Sequence, residues 1–288
     1  MFVIFGNSGF IGSNLQQKLS RRNGPGSGKV LGFGSKDCDL TDAGAVEKAF
    51  AQLPSTTKVV VCSTINRKID NSFVALQKNL AMAENLSNAV AKHPISSLIY
   101  LSSVDVYGTT PPHGITEATR VDPVSYYAIG KLAGEHLIRH AGGAACPITI
   151  LRCPGVFGPF DQLNSIIGLF ASRIMAGDEI TLFGDGQVLR DYLDVDTVCE
   201  VICNLLDRPY QGVLNIARGE SLSMNQWIAL LEDACGRRPN LLRGDNDANA
   251  AGDLVFDISA LSQQMGNEGY TDPKAAIRAY VTYLSTPH

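Results

Sequence analysis

Phe2-Val-Ile-Phe-Gly-Asn-Ser-Gly-Phe-Ile-Gly12 is the stretch on which the reading of the chain turns. Four apolar residues with strand character run into a turn that has glycines at positions 6, 9 and 12. Ile11, Leu15 and Leu19 then recur at helical spacing, so the segment reads as strand, tight turn and helix. In that geometry Gly6 permits the turn, Gly9 lets a pyrophosphate approach the backbone, and Gly12 lets the helix pack closely on the strand. The helix N-terminus then offers unpaired N–H groups and a partial positive charge to an anion. A strand–helix joint that binds nothing can carry the same three glycines, since glycine supplies 28 of the 288 residues. Placement on the first strand favours the binding reading.

A chain of 288 residues can bury a full core, as one large or two unequal domains. Apolar residues make up 45% and charged residues 18%, an ordinary globular balance. The formal charge of −4 comes with no basic run, which argues against nucleic acid as a partner. No positively charged leader precedes the first strand and no apolar run approaches membrane-spanning length, so no membrane partner is expected. Cysteines 38, 62, 146, 153, 199, 203 and 235 show no C-x-x-C spacing and sit mostly among apolar neighbours. Reduced, buried thiols and a cytoplasmic location follow as expectations. Histidines 93, 113, 136, 140 and 288 lie at no ligand spacing, so no metal site is expected.

Outward from the opening unit the first half alternates strand and helix. Asn23–Gly28 reads as a flexible turn, Val30–Phe33 as a second strand, and Asp37–Leu40 as a short extended piece. A helix near Gly44–Leu53 precedes the strand Val59–Cys62, the long helix Asn71–Lys92 and the strand Leu98–Leu101. The helix Ser125–His140 and the strand Thr149–Leu151 complete the series. The implied fold class is α/β, a Rossmann-type doubly wound parallel sheet with helices on both faces. Residues 1–155 form the expected dinucleotide-binding domain, with strand and helix returns near 190–216. Residues 156–288 form a smaller, interleaved C-terminal α/β substrate-binding cap. Helices are expected at Asn164–Ala176, Val195–Leu206, Met224–Cys235 and from Pro273, a strand at Val213–Ile216, and a mobile loop at Asn240–Asp253.

Tyr127-Ala-Ile-Gly-Lys131 places a phenol and an ammonium at i and i+4 on one helical face. Tyrosine has an unperturbed pKa of about 10, so it is a poor base near neutrality. A lysine one turn away and a cationic ring nearby would stabilise the phenolate; a drop of three units needs about 4 kcal/mol. The same spacing also suits an ordinary surface pair. Leu101-Ser-Ser-Val-Asp-Val-Tyr-Gly108 follows a strand, so the Ser103 hydroxyl emerges at its carboxyl end, where it could hydrogen-bond a substrate oxygen. A serine-rich turn that merely caps the strand is the competing reading.

Together these three motifs resemble the extended short-chain dehydrogenase/reductase family, in its nucleotide-sugar epimerase/dehydratase branch. G-x-x-G-x-x-G is that branch's spacing, and Tyr-x-x-x-Lys with an upstream Ser is its catalytic set. The similarity continues through His113–Arg120, Pro123–Tyr127, Leu151–Pro159, Phe183–Val195 and Asn215–Ser223. It implies an NAD(P)-dependent enzyme in which Tyr127 is the acid/base, Lys131 orients the nicotinamide ribose and tunes Tyr127, and Ser103 positions substrate. It also implies cofactor contacts from Gly6, Gly9, Phe10, Ile11, Gly12, Ser35, Lys36, Asp39, Leu40, Asn79 and Pro154, with Asp39 and Leu40 at the adenine. Asn79 matches an Asn that braces the site. Arg190 matches an arginine that clamps a substrate diphosphate, a role suited to a fork of donors; a surface pair with Asp191 or Asp194 is the alternative.

Departures from the family pattern shape the expected chemistry. An NAD-preferring member carries an acidic residue at the end of the second strand, where this chain has Gly34-Ser35-Lys36. A small polar residue followed by a cation suits a 2′-phosphate, so NADP is expected, with NAD as the alternative if Asp37 reaches the ribose. Dehydratases of the branch carry an Asp–Glu pair directly after the position of Ser103; here Val104 and Asp105 stand there, which argues against dehydration. The expected activity is epimerisation or keto-reduction of a nucleotide-linked sugar. Alternatives are reduction or oxidation of a non-nucleotide alcohol or ketone, and a non-catalytic NADP-binding regulatory protein. The resemblance further implies a homodimer through a four-helix bundle, with Val74, Ala81, Leu86, Ala128, Leu132 and Ala133 on the contributing helices.

Overall fold

Val3, Ile4 and Phe5 are fully buried, because the first strand is flanked by a strand on each side and covered on both faces. The computed structural model describes residues 1–23, 28–141, 146–244, 252–266 and 270–286. In chain order the first elements are β1 (Phe2–Phe5), α1 (Phe10–Asn23), β2 (Val30–Phe33), α2 (Ala43–Phe50) and β3 (Lys58–Val61). They continue as α3 (Phe73–Lys92), β4 (Ser97–Ser103), α4 (Tyr126–Arg139) and β5 (Ile148–Cys153). Helix starts follow local chemistry: Asp42, Ser72 and Ser125 each accept a hydrogen bond from a backbone N–H of the first turn they precede.

The six-stranded sheet runs β2, β1, β3, β4, β5 and then the strand Gly212–Asn215. Neighbours among β1 to β5 pair in parallel. The winding direction reverses between β1 and β3, the place where open α/β sheets form a ligand crevice at their carboxyl ends. The doubly wound fold is therefore as the strand–helix rhythm implies. Phe5 stacks between Phe33 and Phe50, at ring separations of 5.2 and 5.5 Å, in a core shared with Val46, Val59 and Leu98.

Two compact units are present. One holds Met1–Gly108, Val121–Cys153 and Cys199–Leu214; the other holds Thr109–Arg120, Pro154–Val198 and Asn215–His288. In the second, helices Ile166–Ala176, Met224–Cys235 and Pro273–Leu284 enclose a core around the fully buried Trp227. Strand pairs join Gly155–Phe157 to Tyr192–Asp194, Leu189–Arg190 to Leu222–Ser223, and Glu179–Phe183 to Asn240–Gly244.

The loop expected over Asn240–Asp253 begins instead as a strand, because Glu179–Phe183 offers a parallel edge to Asn240–Gly244 and Leu241 packs on the core. Residues 245–251, and 24–27 of the expected turn Asn23–Gly28, lie outside the described residues. Leu86 and Ala128, expected on a dimer face, are buried inside the first unit, where α3 packs on α4. The large apolar side chains those helices do expose are Phe73, Val74, Tyr126 and Ile129.

The segment after Gly155–Phe157 is unusual. Phe160, Gln162 and Leu163 take φ of 68°, 51° and 58°, left-handed values that cost of order 1 kcal/mol each. Buried Asp161 sits among them and accepts from the Leu163 N–H at 2.9 Å, as well as from Tyr280 Oη at 2.6 Å and Ser165 Oγ at 2.5 Å.

Gly12 leaves no room for a side chain, since a Cβ there would lie 2.1 Å from Gly6 O. Gly12→Ala is therefore expected to destabilise the protein by at least about 2 kcal/mol. Chemical denaturation measures this, and a midpoint like that of the wild type would show that the turn can give way.

Candidate active site

The site in the first unit grows from the carboxyl ends of β1, β3 and β4. Gly6, at φ 87°, turns the chain out of β1, and its N–H donates to Phe33 O at 2.8 Å. A Cβ at Gly6 would meet the Ser63 backbone N at 2.7 Å, so this turn is packed on the residues after β3 as tightly as on α1. The first hydrogen bond of α1 runs from Ser13 N–H to Gly9 O at 2.9 Å. The N–H groups of Phe10, Ile11 and Gly12 precede it and point out of the helix end beside the exposed Ser8 and Gly9. This cradle, with no side chain at Gly9 to fill it, fits a dinucleotide pyrophosphate.

Around the cradle, Asn79 on α3 grips the strand exit. Its Oδ1 accepts the Ile65 N–H at 2.9 Å and its Nδ2 donates to Ile65 O at 3.1 Å. Ser35 and Lys36 are exposed in the turn after β2, while Asp37 Oδ2 accepts the Gly34 N–H at 2.9 Å and closes that turn. Asp39 is exposed and accepts from Thr41 N and Oγ1; these bonds hold its carboxyl below the usual range. Leu40 beside it is buried. Pro154 directly follows β5.

The candidate reacting groups stand on α4 and at the end of β4. Ser125 caps α4 and the Tyr127 N–H donates to Asn71 Oδ1 at 3.1 Å, which fixes the first helical turn. Lys131 is 4% exposed; its Nζ donates to Leu101 O at 2.7 Å and lies 5.1 and 5.8 Å from the Tyr100 and Tyr127 ring centroids. Ser103 Oγ accepts the Asp105 N–H at 3.1 Å, which leaves its own proton for another acceptor. Burial pulls the Lys131 ammonium down to about 8, against Cys153, Cys62 and Glu135. Burial also pushes the Tyr127 phenol up, helped by Asp105, Cys153 and Tyr100 and opposed by Arg67. The protein alone therefore keeps Tyr127 neutral, and a phenolate needs further positive charge.

Val104, where a dehydratase carboxylate would stand, is buried, and Asp105 pairs with Arg67 at 2.9 Å. In the second unit Arg190 Nη1 donates to Leu189 O and Gly252 O, both at 2.8 Å. The acids beside it are engaged elsewhere: Asp191 accepts the Arg218 and Gly219 N–H groups, and Asp194 caps Thr197. Sequence reading passed over Glu135 and Arg152, which form a bidentate pair one helical turn along α4 from Lys131. Two signals pointed to them: Glu135 continues the 127, 131 helical spacing, and Arg152 interrupts an apolar strand.

Among the described residues no group of metal-binding side chains occurs and no helix is long and apolar enough to cross a membrane. All seven cysteines are free thiols.

The sequence model of the NAD dependent epimerase/dehydratase family matches residues 2–217. The chain is 28% identical over 213 residues to the Bacillus subtilis protein YtcB, described as an uncharacterized UDP-glucose epimerase. That match covers 72% of this chain and 66% of YtcB. It is 26% identical over 257 residues to the dTDP-glucose 4,6-dehydratase of Streptomyces griseus, covering 81% and 78% of the two chains. The fold superposes on UDP-glucose 4-epimerase of Thermotoga maritima, crystallised with UDP-glucose, with a TM-score of 0.85 and 22% identity over 98% of each chain.

Because the folded value of Lys131 lies below the ordinary 10.5, its burial favours folding fully only above that ordinary value. The contribution is lost as pH falls through about 8. Lys131→Met is thus expected to be more stable than wild type at pH 7, by up to about 3 kcal/mol, and to lose most of this advantage by pH 10. Paired denaturation curves at the two pH values test it, and an equal difference at both would contradict the assignment.

Proposed function

The chain belongs to the NAD dependent epimerase/dehydratase family, and from that premise we propose that it transfers a hydride at a ring carbon of a nucleotide-linked sugar, as an epimerase or keto-reductase. The supporting observation is the convergence on one sheet end of Tyr127 and Lys131 from α4 and Ser103 from β4. The names of its relatives, epimerase and dehydratase of nucleoside-diphosphate glucose, supply the substrate class. The free Ser103 proton can bond the substrate oxygen while Tyr127 gives or takes the hydroxyl proton. Lys131, turned from Leu101 O toward the nicotinamide ribose, would hold that ribose and add positive charge beside the phenol. Gly6, Gly9 and the N–H groups of Phe10 to Gly12 would carry the pyrophosphate, with Asp39 and Leu40 at the adenine and Pro154 near the nicotinamide. The bound dinucleotide supplies or accepts the hydride. Arg190 would take the substrate diphosphate.

NADP is the proposed dinucleotide. Ser35 and Lys36 face solvent at the ribose end, and the Asp37 carboxylate is turned back onto Gly34. We also propose a homodimer through α3 and α4, supported by Phe73 and Val74, 55% and 54% exposed, and by the edge-on Phe73–Tyr126 contact at 6.0 Å.

Mass spectrometry of nucleotide released on denaturation, with titration of NADP and NAD, tests the cofactor. Retained NAD would overturn NADP and make epimerisation the mechanism, whereas preference for NADPH supports reduction. With 4-keto nucleotide sugars as substrates, Tyr127→Phe is expected to lose at least about a hundredfold in kcat. Sedimentation at micromolar concentration should give a dimer that Phe73→Glu weakens; a wild-type monomer would sink that proposal.

A further inference from the structure

Directly behind the reacting groups lies a buried charge network. Glu135 is 1% and Arg152 is 5% exposed. Arg152 Nε and Nη2 donate to Glu135 Oε1 and Oε2 at 3.0 and 2.7 Å, a bidentate pair. Ser102 Oγ donates to Glu135 Oε1 at 2.5 Å, and Arg152 Nη1 donates to Tyr107 Oη at 2.9 Å. The four residues come from four places: Ser102 from β4, Arg152 from β5, Glu135 from α4, and Tyr107 from the 3-10 turn Val104–Tyr107.

A buried ion pair is a poor source of stability, because removing two charges from water offsets most of their attraction. Well-packed apolar residues would hold a helix on a sheet as well. What a bidentate pair adds is direction: a planar guanidinium against a carboxylate admits one relative placement of the two backbones. Tyr127, Lys131 and Glu135 lie at i, i+4 and i+8, one face of α4. Ser102 and Arg152 are register partners on β4 and β5, one residue before Ser103 and Cys153.

We propose that Glu135 and Arg152 are positioning residues for this site: their ion pair locks the Tyr127–Lys131 face of α4 to the ends of β4 and β5 and so sets both groups relative to Ser103. Glu135 also stands one turn from Lys131 as the carboxylate that favours its charged form. The other groups facing that ammonium are Cys62 after β3, the Tyr100 ring on β4, Cys153 at the end of β5 and the Tyr127 ring on its own helix. The proposal rests on the hydride-transfer reading for its rate measurement alone.

Two variants and two readouts test it. Glu135→Gln keeps the shape and removes the charge; Glu135→Leu with Arg152→Met replaces the pair by apolar side chains of similar size, a change buried pairs tolerate in stability. The Lys131 titration is followed by NMR of lysine-labelled protein, assigned with Lys131→Arg, and kcat and KM are measured with a 4-keto nucleotide sugar. Glu135→Gln is expected to lower the Lys131 midpoint and to cut kcat about tenfold or more with KM within about twofold, the signature of misplaced reacting groups. The double variant is expected to melt near wild type yet keep the low midpoint and low kcat. A double variant with wild-type kcat and a wild-type Lys131 midpoint would overturn the proposal and reduce the pair to a structural one. If Glu135→Gln does not fold, the double variant decides alone. A wild-type protein that turns over no nucleotide sugar would refute the functional reading, while the Lys131 midpoints still decide the placement.

Discussion

Everything at the nucleotide end depends on one steric constraint, the contact of the α1 backbone at Gly12 with the carbonyl of Gly6. With no Cβ at either place, the helix starts within one turn of the strand it leaves, and its first N–H groups open onto the crevice at the sheet's switch point. Asn79 extends the same logic to the next strand, because its amide reads both backbone groups of Ile65 and holds the exit of β3 in place. The capacity for an anion offered here is a property of backbone geometry more than of charged side chains.

Tyr127 and Lys131 obey the opposite rule: their surroundings work against their charged forms. Lys131 is buried and pulled down to about 8, and burial with Asp105 pushes the Tyr127 phenol up. A lysine alone thus does not make Tyr127 a base. On the proposed reading a bound cationic ring would complete the electrostatics and tie proton transfer to cofactor occupancy. Such an arrangement keeps the phenol protonated while the site lacks its dinucleotide.

The strand–helix series was legible because parallel strands buried on both faces read as short apolar runs, as at Phe2–Phe5 and Val59–Val61, and because Ser and Asp mark the helix starts. The i, i+4 spacing placed Tyr127 and Lys131 on one face of α4, where the Lys131 ammonium lies 5.8 Å from the Tyr127 ring, but it was the family resemblance that gave the pair a role. Glu135 and Arg152 were not assigned, since only the folded backbone brings positions seventeen residues apart into bidentate contact. The short paired strands of the second unit were equally hard to read. Asn240–Gly244 has little strand character of its own and takes it from the edge of Glu179–Phe183. The sequence left open where the Asp37 carboxylate points, because only the folded turn sets the hydrogen bond it accepts from Gly34, three residues back.

Asp161 joins two elements more than a hundred residues apart. Its carboxylate accepts the N–H of left-handed Leu163 and at the same time receives the hydroxyl of Tyr280, on the helix Pro273–Leu284. The strained loop and that helix therefore form one cooperative element, in which fraying of the terminal helix relaxes the loop. Hydrogen-exchange protection of the two should rise and fall together, since a single carboxylate couples them.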